Sequence, residues 1–200
     1  MTMNTKEGYL LVTSAEGKPD DPHPPIFTGY VSVFAPVDDI TQPDVNISST
    51  NAGFGPTCWI VYSAKNNGCT YAASTFVGSA ITAFRAQGSA LDLLAPNPAA
   101  ALPAPVDLYL SPEEDFLYAL STGYTVDTLG LLPPMVNGIN LTALVDAAGV
   151  TTQDQQTAIY TYQINPQTCG LTQVGMPMTD ELPTPWPTIS MVFLVGWLCN

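Results

Sequence analysis

A repeated order of short strand-like segments is the feature that most constrains what this chain can fold into. The segment GCTYAAST at 68–75 recurs as DFLYALST at 115–122 and, more loosely, as GYLLVTSA at 8–15. Each copy is a predicted strand that ends in small polar residues. Such self-similarity indicates a repeat architecture in which every unit is one small supersecondary motif.

Further segments precede and follow these copies in a fixed order. A small residue and a proline lead into a strand and a hairpin-type turn in GPTCWIVYSAKNNG at 55–68 and in APVDLYLSPEED at 104–115. Alternating segments follow all three copies, and weaker ones follow the second and third; the alternating segments are 29–34, 79–84 and 157–162, and the weaker ones are 89–94 and 170–174. The pattern predicts units of four strands that pair sequentially.

A four-stranded antiparallel meander is the blade of a β-propeller. We predict an all-β, β-propeller-type fold with about three four-stranded antiparallel blades in an incomplete ring, all within one domain. The units are a partial blade at 8–45, a blade at 55–96, a blade at 104–176 with an insertion at 123–156, and an extra strand at 184–198. A β-sandwich with similar hairpins is the alternative that the pattern leaves open.

These residues resemble a known family. The proline-led first strand, the Ser and turn after it, the LYA second strand and the SAITAF-like third strand are similar to the lactonase-type (YVTN-like) seven-bladed β-propellers. The pair Cys58-Trp59 resembles in particular the fungal 3-carboxymuconate cyclase-like proteins. The resemblance covers roughly residues 8 to 175 and implies a lactonase or cycloisomerase activity, although this blade sequence specifies a fold better than an activity.

Three blades are too few to close a ring, and two explanations remain open. The chain is a fragment whose exposed blade edges favour self-association, or two or more copies close a ring together. In the second case the segment 184–193 supplies a first strand to another copy, whose strand at 9–14 lacks one of its own. The apolar run ISMVFLVGWL within the last residues is too short for a membrane span, which takes about 20 residues, yet too apolar to stay in water.

Charge and composition limit the classes of molecule that the chain can bind. The chain has 17 acidic residues against four basic ones and a net charge of -13, so nucleic acid is excluded because phosphate binding needs clustered Lys and Arg. Only 10% of residues are charged and 19 are proline, which is typical of a turn-rich extracellular surface. The N-terminal MTMNTKEGYL lacks the apolar core of a signal peptide.

Two glycosylation sequons support an extracellular or cell-surface location. They begin at Asn46 and Asn140, and N-x-Ser/Thr is the acceptor pattern for N-linked glycans. Both asparagines are predicted to lie exposed in connections on the same face of the propeller. We expect both to be modified if a eukaryotic cell secretes the protein.

Candidate binding residues cluster in or near long connections, which are often functional. The predicted connections 15–28 and 123–156 lie on one face, and the first contains Asp20, Asp21 and the single histidine, His23. Asp107 enters a first strand near the expected ring centre, where it binds a cation or a sugar hydroxyl, or else accepts backbone N–H groups. For His23 the alternative to a ligand or base role is that of a solvated loop residue between prolines. The spacing DDPH matches no specific metal site, and no metal or cofactor is predicted.

This acidic face opposes lactone or polycarboxylate chemistry, which needs cations and a proton-transfer group. Lys65 and Arg85 are predicted on the opposite face, and no nucleophile elbow is present. Strand aromatics, Tyr71 and Tyr162 among them, are assigned to packing between blades. We therefore predict a non-catalytic secreted or surface propeller that binds a protein partner or glycan through its long-connection face; the alternative is a lactonase or carboxymuconate cycloisomerase-like enzyme.

The four cysteines leave most pairings open. Cys58 and Cys69 open successive strands of one predicted hairpin and so lie at its opposite ends. At about 3.4 Å per residue they are separated by roughly 17 Å, well beyond the ~7 Å Cα limit for a disulfide. They are therefore not partners.

Overall fold

The computed structural model describes residues 2–4, 8–14, 29–35, 46–52, 57–74, 80–103, 105–121, 135–136, 139–140 and 157–179. Within these ranges the chain forms three antiparallel sheets and one two-stranded hairpin, and it contains no helix. The predicted all-β class is confirmed.

The first sheet has four strands paired in chain order, namely β1 (Thr2–Asn4), β2 (Tyr9–Ser14), β3 (Tyr30–Phe34) and β4 (Asn46–Asn51). The expectation that the strand at 9–14 lacks a first strand is wrong, because β1 pairs with β2 and places Thr2 opposite Leu11. Gly8, with a φ of 77°, leads into β2. At Tyr9–Leu11 the edge of β2 is therefore paired with β1 of the same chain, where the shared-strand explanation placed the segment 184–193 of another copy.

The second sheet contains β5 (Thr57–Ser63), β6 (Cys69–Ser74), β7 (Ala80–Gln87) and β8 (Ala90–Leu93), with β9 (Ala100–Ala101) paired to β7. The turn between β5 and β6 ends in Asn67 and Gly68, both with positive φ, as Asn-Gly turns between strands require. Gly68 is needed for space as well, because an added Cβ would lie 2.1 Å from the Ala86 carbonyl oxygen. All six residues of β6 are buried.

The third sheet contains β10 (Pro105–Leu110), β11 (Phe116–Ser121), β14 (Ala158–Ile164) and β15 (Leu171–Gln173). Between β11 and β14 lies the hairpin of β12 (Met135–Val136) and β13 (Ile139–Asn140). Half-buried and buried residues alternate along β11, as in a strand with only one face against a core. The sequential pairing predicted for the second and third sheets is confirmed.

Two hydrophobic cores hold the sheets face to face in chain order. The first core lies between the first and second sheets and includes Leu11, Val31, Val33, Ile60, Ala72 and Phe84. The second core lies between the second and third sheets and includes Tyr71, Ile81, Leu108, Leu117, Ala119 and Tyr162. The strand β5 contacts β1 and β2 on one side and β10 on the other. First strands thus come together as the innermost strands of propeller blades do, and the described residues form an incomplete, propeller-type stack.

Candidate functional site

One end of the stack carries the connections from the second to the third strand of each sheet, and we call it the long-connection end. The strand register defines it through the pairs Ser14 with Tyr30, Ser74 with Ala80, and Ser121 with Ala158. The small polar residues that mark the repeat tie this end together. Ser74 Oγ lies 3.1 Å from Thr57 Oγ1, and Ser121 Oγ donates to the Pro103 carbonyl.

The predicted binding residues Asp20, Asp21 and His23 belong to the connection between β2 and β3, which lies outside the described residues. Ser14 and Tyr30, the described residues on either side of this connection, lie at the long-connection end. Asp107 lies at the same end, since it pairs with Leu120 next to an irregularity in the β10–β11 register.

Asp107 is exposed, and its Oδ1 accepts the N–H of Leu108 at 2.8 Å. The sequence left two roles open for Asp107, ligand binding or acceptance of a backbone N–H, and this bond is the second of them. That bond uses only Oδ1, and a binding role for Asp107 stays a prediction.

The glycosylation sequons are placed differently from one another. Asn140 ends β13, inside the long connection between β11 and β14. The expectation that Asn46 lies in a connection at the same end is wrong, because Asn46 begins β4 opposite Phe34. Phe34 also pairs with Leu10, at the end of β2 remote from Ser14. The backbone of Asn46 is therefore at the opposite end of the stack.

That opposite end carries the turns between first and second strands, and we call it the turn end. Here an acidic turn of the third sheet is hydrogen-bonded to the corresponding turn of the second sheet. Glu114 Oε2 accepts the Ser63 hydroxyl at 2.6 Å and the Lys65 backbone N–H at 2.9 Å. The Asn66 side-chain amide donates to the Glu114 carbonyl. We call Ser63, Lys65, Asn66 and Glu114 the Glu114 clamp.

The basic side chains at the turn end also bond across the two sheets. Lys65 Nζ lies 2.8 Å from Asp115 Oδ1. Arg85 donates to the Asn67 carbonyl at 3.1 Å and to the Gln167 carbonyl at 2.7 Å. The prediction that Lys65 and Arg85 lie at the end opposite the long connections is confirmed. Both cations are occupied by protein groups.

A disulfide joins the same two sheets beside Arg85. Cys69, which pairs with Arg85 in the sheet, is bonded to Cys169 with a Cα–Cα distance of 5.4 Å. Cys58 is disulfide-bonded as well. The prediction that Cys58 and Cys69 are not partners is confirmed.

Two buried tyrosines lie in the second core, Tyr71 on the second sheet and Tyr162 on the third. Tyr71 and Tyr162 are 0% and 3% exposed, and neither hydroxyl has a hydrogen-bond partner within the described part of the chain. Burial raises the pKa of Tyr71 well above its usual range and raises the pKa of Tyr162 to about 12. Both hydroxyls are therefore neutral at pH 7 and their rings serve packing, as the sequence predicted.

In the ranges that the structure describes, no group of three or more His, Cys, Asp or Glu side chains is placed to hold a metal ion. The described part of the chain also contains no helix that is long and apolar enough to cross a bilayer.

Sequence reasoning missed the Glu114 clamp. The signal was the acidic cluster Glu113-Glu114-Asp115 in one turn and a lone Lys65 in the equivalent turn of the preceding repeat. Reading the two turns as stacked neighbours, rather than separately, would have suggested that they attract each other.

No protein-family model and no curated protein sequence matches the chain. Two solved structures are similar to it, and each is described as a "putative 6-phosphogluconolactonase". The protein from Bacteroides fragilis is 12% identical with a TM-score of 0.48, and the match covers 84% of this chain and 46% of that one. The protein from Bacteroides uniformis is 15% identical with a TM-score of 0.45, and the match covers 84% and 45%.

The chain thus spans less than half the length of either structure. The lactonase-type resemblance and the finer fungal cyclase-like resemblance both stay predictions from the sequence.

Proposed function

We propose that the chain is a non-catalytic, extracellular or cell-surface domain of the lactonase-like β-propeller type, which binds a glycan or a protein partner at its long-connection end. The observation that carries this proposal is the contrast between the two ends. At the turn end, Lys65 and Arg85 are bonded to protein oxygens across two sheets. That end supports the structure, and the long-connection end is left for binding.

The cysteines support the extracellular part of the proposal. Cys69 and Cys169 form a disulfide, and Cys58 is disulfide-bonded too. Disulfides persist in oxidising compartments and are rare in the cytosol. Glycans at Asn46 and Asn140 belong to the same proposal, and mass spectrometry of protein secreted by a eukaryotic cell tests them.

A glycan suits the residues near the long-connection end. Carboxylates such as those of Asp20, Asp21 and Asp107 accept hydrogen bonds from sugar hydroxyls. An anionic substrate suits them less, because the chain has a net charge of -13. A lactonase or carboxymuconate cycloisomerase-like activity, implied by the sequence resemblance, is the alternative function.

Two assays on the same secreted protein separate these functions, namely an array of immobilised glycans and hydrolysis of a panel of lactones. The test variant is Asp20→Ala/Asp21→Ala/His23→Ala. The matched control is Gln87→Ala, which changes an exposed residue near the turn end.

We expect glycan binding by wild type and control, at least about tenfold weaker binding by the triple variant, which corresponds to ~1.4 kcal/mol, and no lactone hydrolysis above buffer. Lactone hydrolysis that the triple variant loses would establish the enzyme instead. Glycan binding that survives the triple substitution would show that these three residues are not the site.

A further inference from the structure

The third sheet presents an apolar face on the side away from the second sheet. Its members alternate with the residues of the second core and belong to neither core. They are Tyr109 on β10, Phe116, Tyr118 and Leu120 on β11, and Ile159 on β14. The register joins them into one surface, since Tyr109 pairs with Tyr118 and Leu120 pairs with Ile159. We call this surface the outer face of the third sheet.

This face is incompletely covered. Tyr109 is 63% exposed and Ile159 is 37% exposed, and the three members on β11 are half-buried. Met178 exchanges backbone hydrogen bonds with Ile159 and is 65% exposed, so it extends the apolar surface at the sheet edge. Apolar surface of this kind, gathered on one side of a sheet, marks an interaction site.

The repeat indicates what such a face binds. The segments TYAAS at 70–74 and LYALS at 117–121 align residue by residue, which makes Tyr118 the equivalent of Tyr71. In the same way Ile159 is the equivalent of Ile81, since each follows the first residue of its third strand. Tyr71 and Ile81 are 0% exposed because the third sheet covers them. The outer face therefore carries the residues that, one repeat earlier, bind the next sheet.

The first sheet offers the complementary surface. Leu11, the equivalent of Tyr71, lies in the first core and points at the second sheet. Its neighbours Leu10 and Val12 are on the opposite side, are half-buried and belong to neither core. The equivalents of Val12 are Ala72 and Ala119, and each of these packs against the sheet that precedes its own. The first sheet thus presents the kind of face with which the second and third sheets each pack against the sheet before them.

We propose that the outer face of the third sheet receives the first sheet of a second copy of this chain, head to tail. The two surfaces meet face to face, as the sheets within one chain do, and no strand is exchanged. The three sheets of the described residues are too few to close on themselves, whereas the same sheets of two copies contribute six, within the four to eight blades of closed propellers. A head-to-tail contact that closes on itself gives a finite assembly rather than a filament.

The mass of the 200-residue chain in solution tests the proposal. We expect wild type to sediment as a two-copy assembly that dissociates at or below about 1 µM. Tyr109→Asp/Ile159→Asp places two carboxylates on the outer face and should weaken association at least a hundredfold. Leu93→Asp is the matched control, because Leu93 is 42% exposed and lies on the second sheet; it should leave association unchanged.

A mixing experiment distinguishes head-to-tail contact from other arrangements. Val12→Asp blocks the first-sheet surface and should also give a single-copy species. When it is mixed with Tyr109→Asp/Ile159→Asp, one intact outer face meets one intact first sheet, so a two-copy species should reappear. Circular dichroism checks that each variant retains its sheets.

Three results overturn the proposal. The first is wild-type protein that stays a single copy up to about 100 µM. In that case no second copy binds the outer face, and solvent or another part of the same chain, such as residues 180–200, covers it instead. A two-copy species that survives Tyr109→Asp/Ile159→Asp places the contact elsewhere. Two single-copy variants that fail to associate on mixing show that the contact is not head to tail.

Discussion

The two interfaces of the stack are built from different chemistry. Between the second and third sheets lie a disulfide, the Glu114 clamp and a core with two tyrosines. Between the first and second sheets, neutral hydroxyls donate to backbone carbonyls. Thr13 donates to Cys58 at 3.0 Å, Thr50 donates to Leu91 at 3.0 Å, and Thr82 donates to Ala52 at 3.1 Å.

This difference divides the stack into a tight pair and an attached sheet. A neutral hydrogen bond contributes about 1 kcal/mol net, and one to a charged group contributes about 1.5–3 kcal/mol. A disulfide adds a covalent limit on separation. We therefore expect the first sheet to open at lower free energy than the third, and five changes test that difference.

Removing the disulfide should have the largest effect. Cys69 and Cys169 are 100 residues apart, and in the chain-entropy description closing a loop of that length stabilises by about 4.7 kcal/mol. Cys69→Ala/Cys169→Ala should lower the free energy of unfolding by about 4–5 kcal/mol in urea titrations. Hydrogen exchange should accelerate more in β11 and β14 than in β2 and β3. Equal acceleration in both would contradict the division.

The second test deforms the backbone under the Glu114 clamp. Gly68 has a φ of +80°, and a Cβ there would lie 2.1 Å from the Ala86 oxygen. Gly68→Ala should cost about 3 kcal/mol of unfolding free energy from strain and clash together. Gly175 has a φ of +70° with nothing within 4 Å, so Gly175→Ala should cost only about 1 kcal/mol. Similar costs would show that the close approach to Ala86 relaxes easily.

The third test removes the charge of the clamp. Glu114→Gln keeps the shape but loses a charge-assisted acceptor for Ser63 and Lys65, and we expect a loss of about 1–2 kcal/mol. Glu113 offers Lys65 only its backbone carbonyl, so Glu113→Gln should stay within about 0.5 kcal/mol of wild type. Thermal unfolding of the two variants side by side measures this. If Glu113→Gln lowers the free energy of unfolding by as much as Glu114→Gln, the loss comes from the net charge of the turn and the hydrogen bonds of the Glu114 clamp do not contribute to stability.

The fourth test addresses the other interface. Thr82→Val removes the hydroxyl that bonds the Ala52 carbonyl, and both residues are fully buried. We expect a loss of about 1 kcal/mol, with faster hydrogen exchange in β3 and β4 than in β14. Thr172→Val, at an exposed position, is the control and should be nearly neutral. If exchange instead accelerates more in β14 than in β3 and β4, the hydroxyl of Thr82 does not act at the interface between the first and second sheets.

The smallest effect at neutral pH is expected from Tyr162→Phe, which should change stability by less than about 1 kcal/mol. Its effect should appear in alkali. Burial raises the folded pKa to about 12 from 10.0, so this contribution is fully present below pH 10 and is lost as the pH rises through about 12. The wild-type free energy of unfolding should then fall by up to about 1.4 kcal/mol per pH unit more than that of the variant. Urea titrations at several alkaline pH values measure it, and parallel slopes would refute it.

Much of the fold was predictable because local signals decided it. In the second and third sheets, period-two alternation and short turns fix which strands pair. The strand β1 gave no such signal, since Thr2–Asn4 is only three residues long. The strand β4 (NISSTN) has no apolar alternation, because Ser48 and Thr50 face the second sheet with hydroxyls instead.

The candidate site was less predictable because its contacts are non-local. Four cysteines allow three pairings, and strand register alone excluded only the pair of Cys58 with Cys69. The partner of Glu114 depends on how two sheets stack, which no single repeat encodes. Asp20, Asp21 and His23 lie outside the described residues, and their role stays a prediction.

The distance between Cys58 and Cys69 has a consequence for biosynthesis. Both thiols are made long before Cys169, and neighbours in sequence are the easiest to join wrongly because a short loop closes at low entropic cost. Once β5 pairs with β6, Ser63 lies opposite Cys69 and Trp59 lies opposite Ala73, which holds the two sulfurs at opposite ends of the hairpin. The hairpin therefore keeps Cys69 available until its partner, 100 residues later, leaves the ribosome.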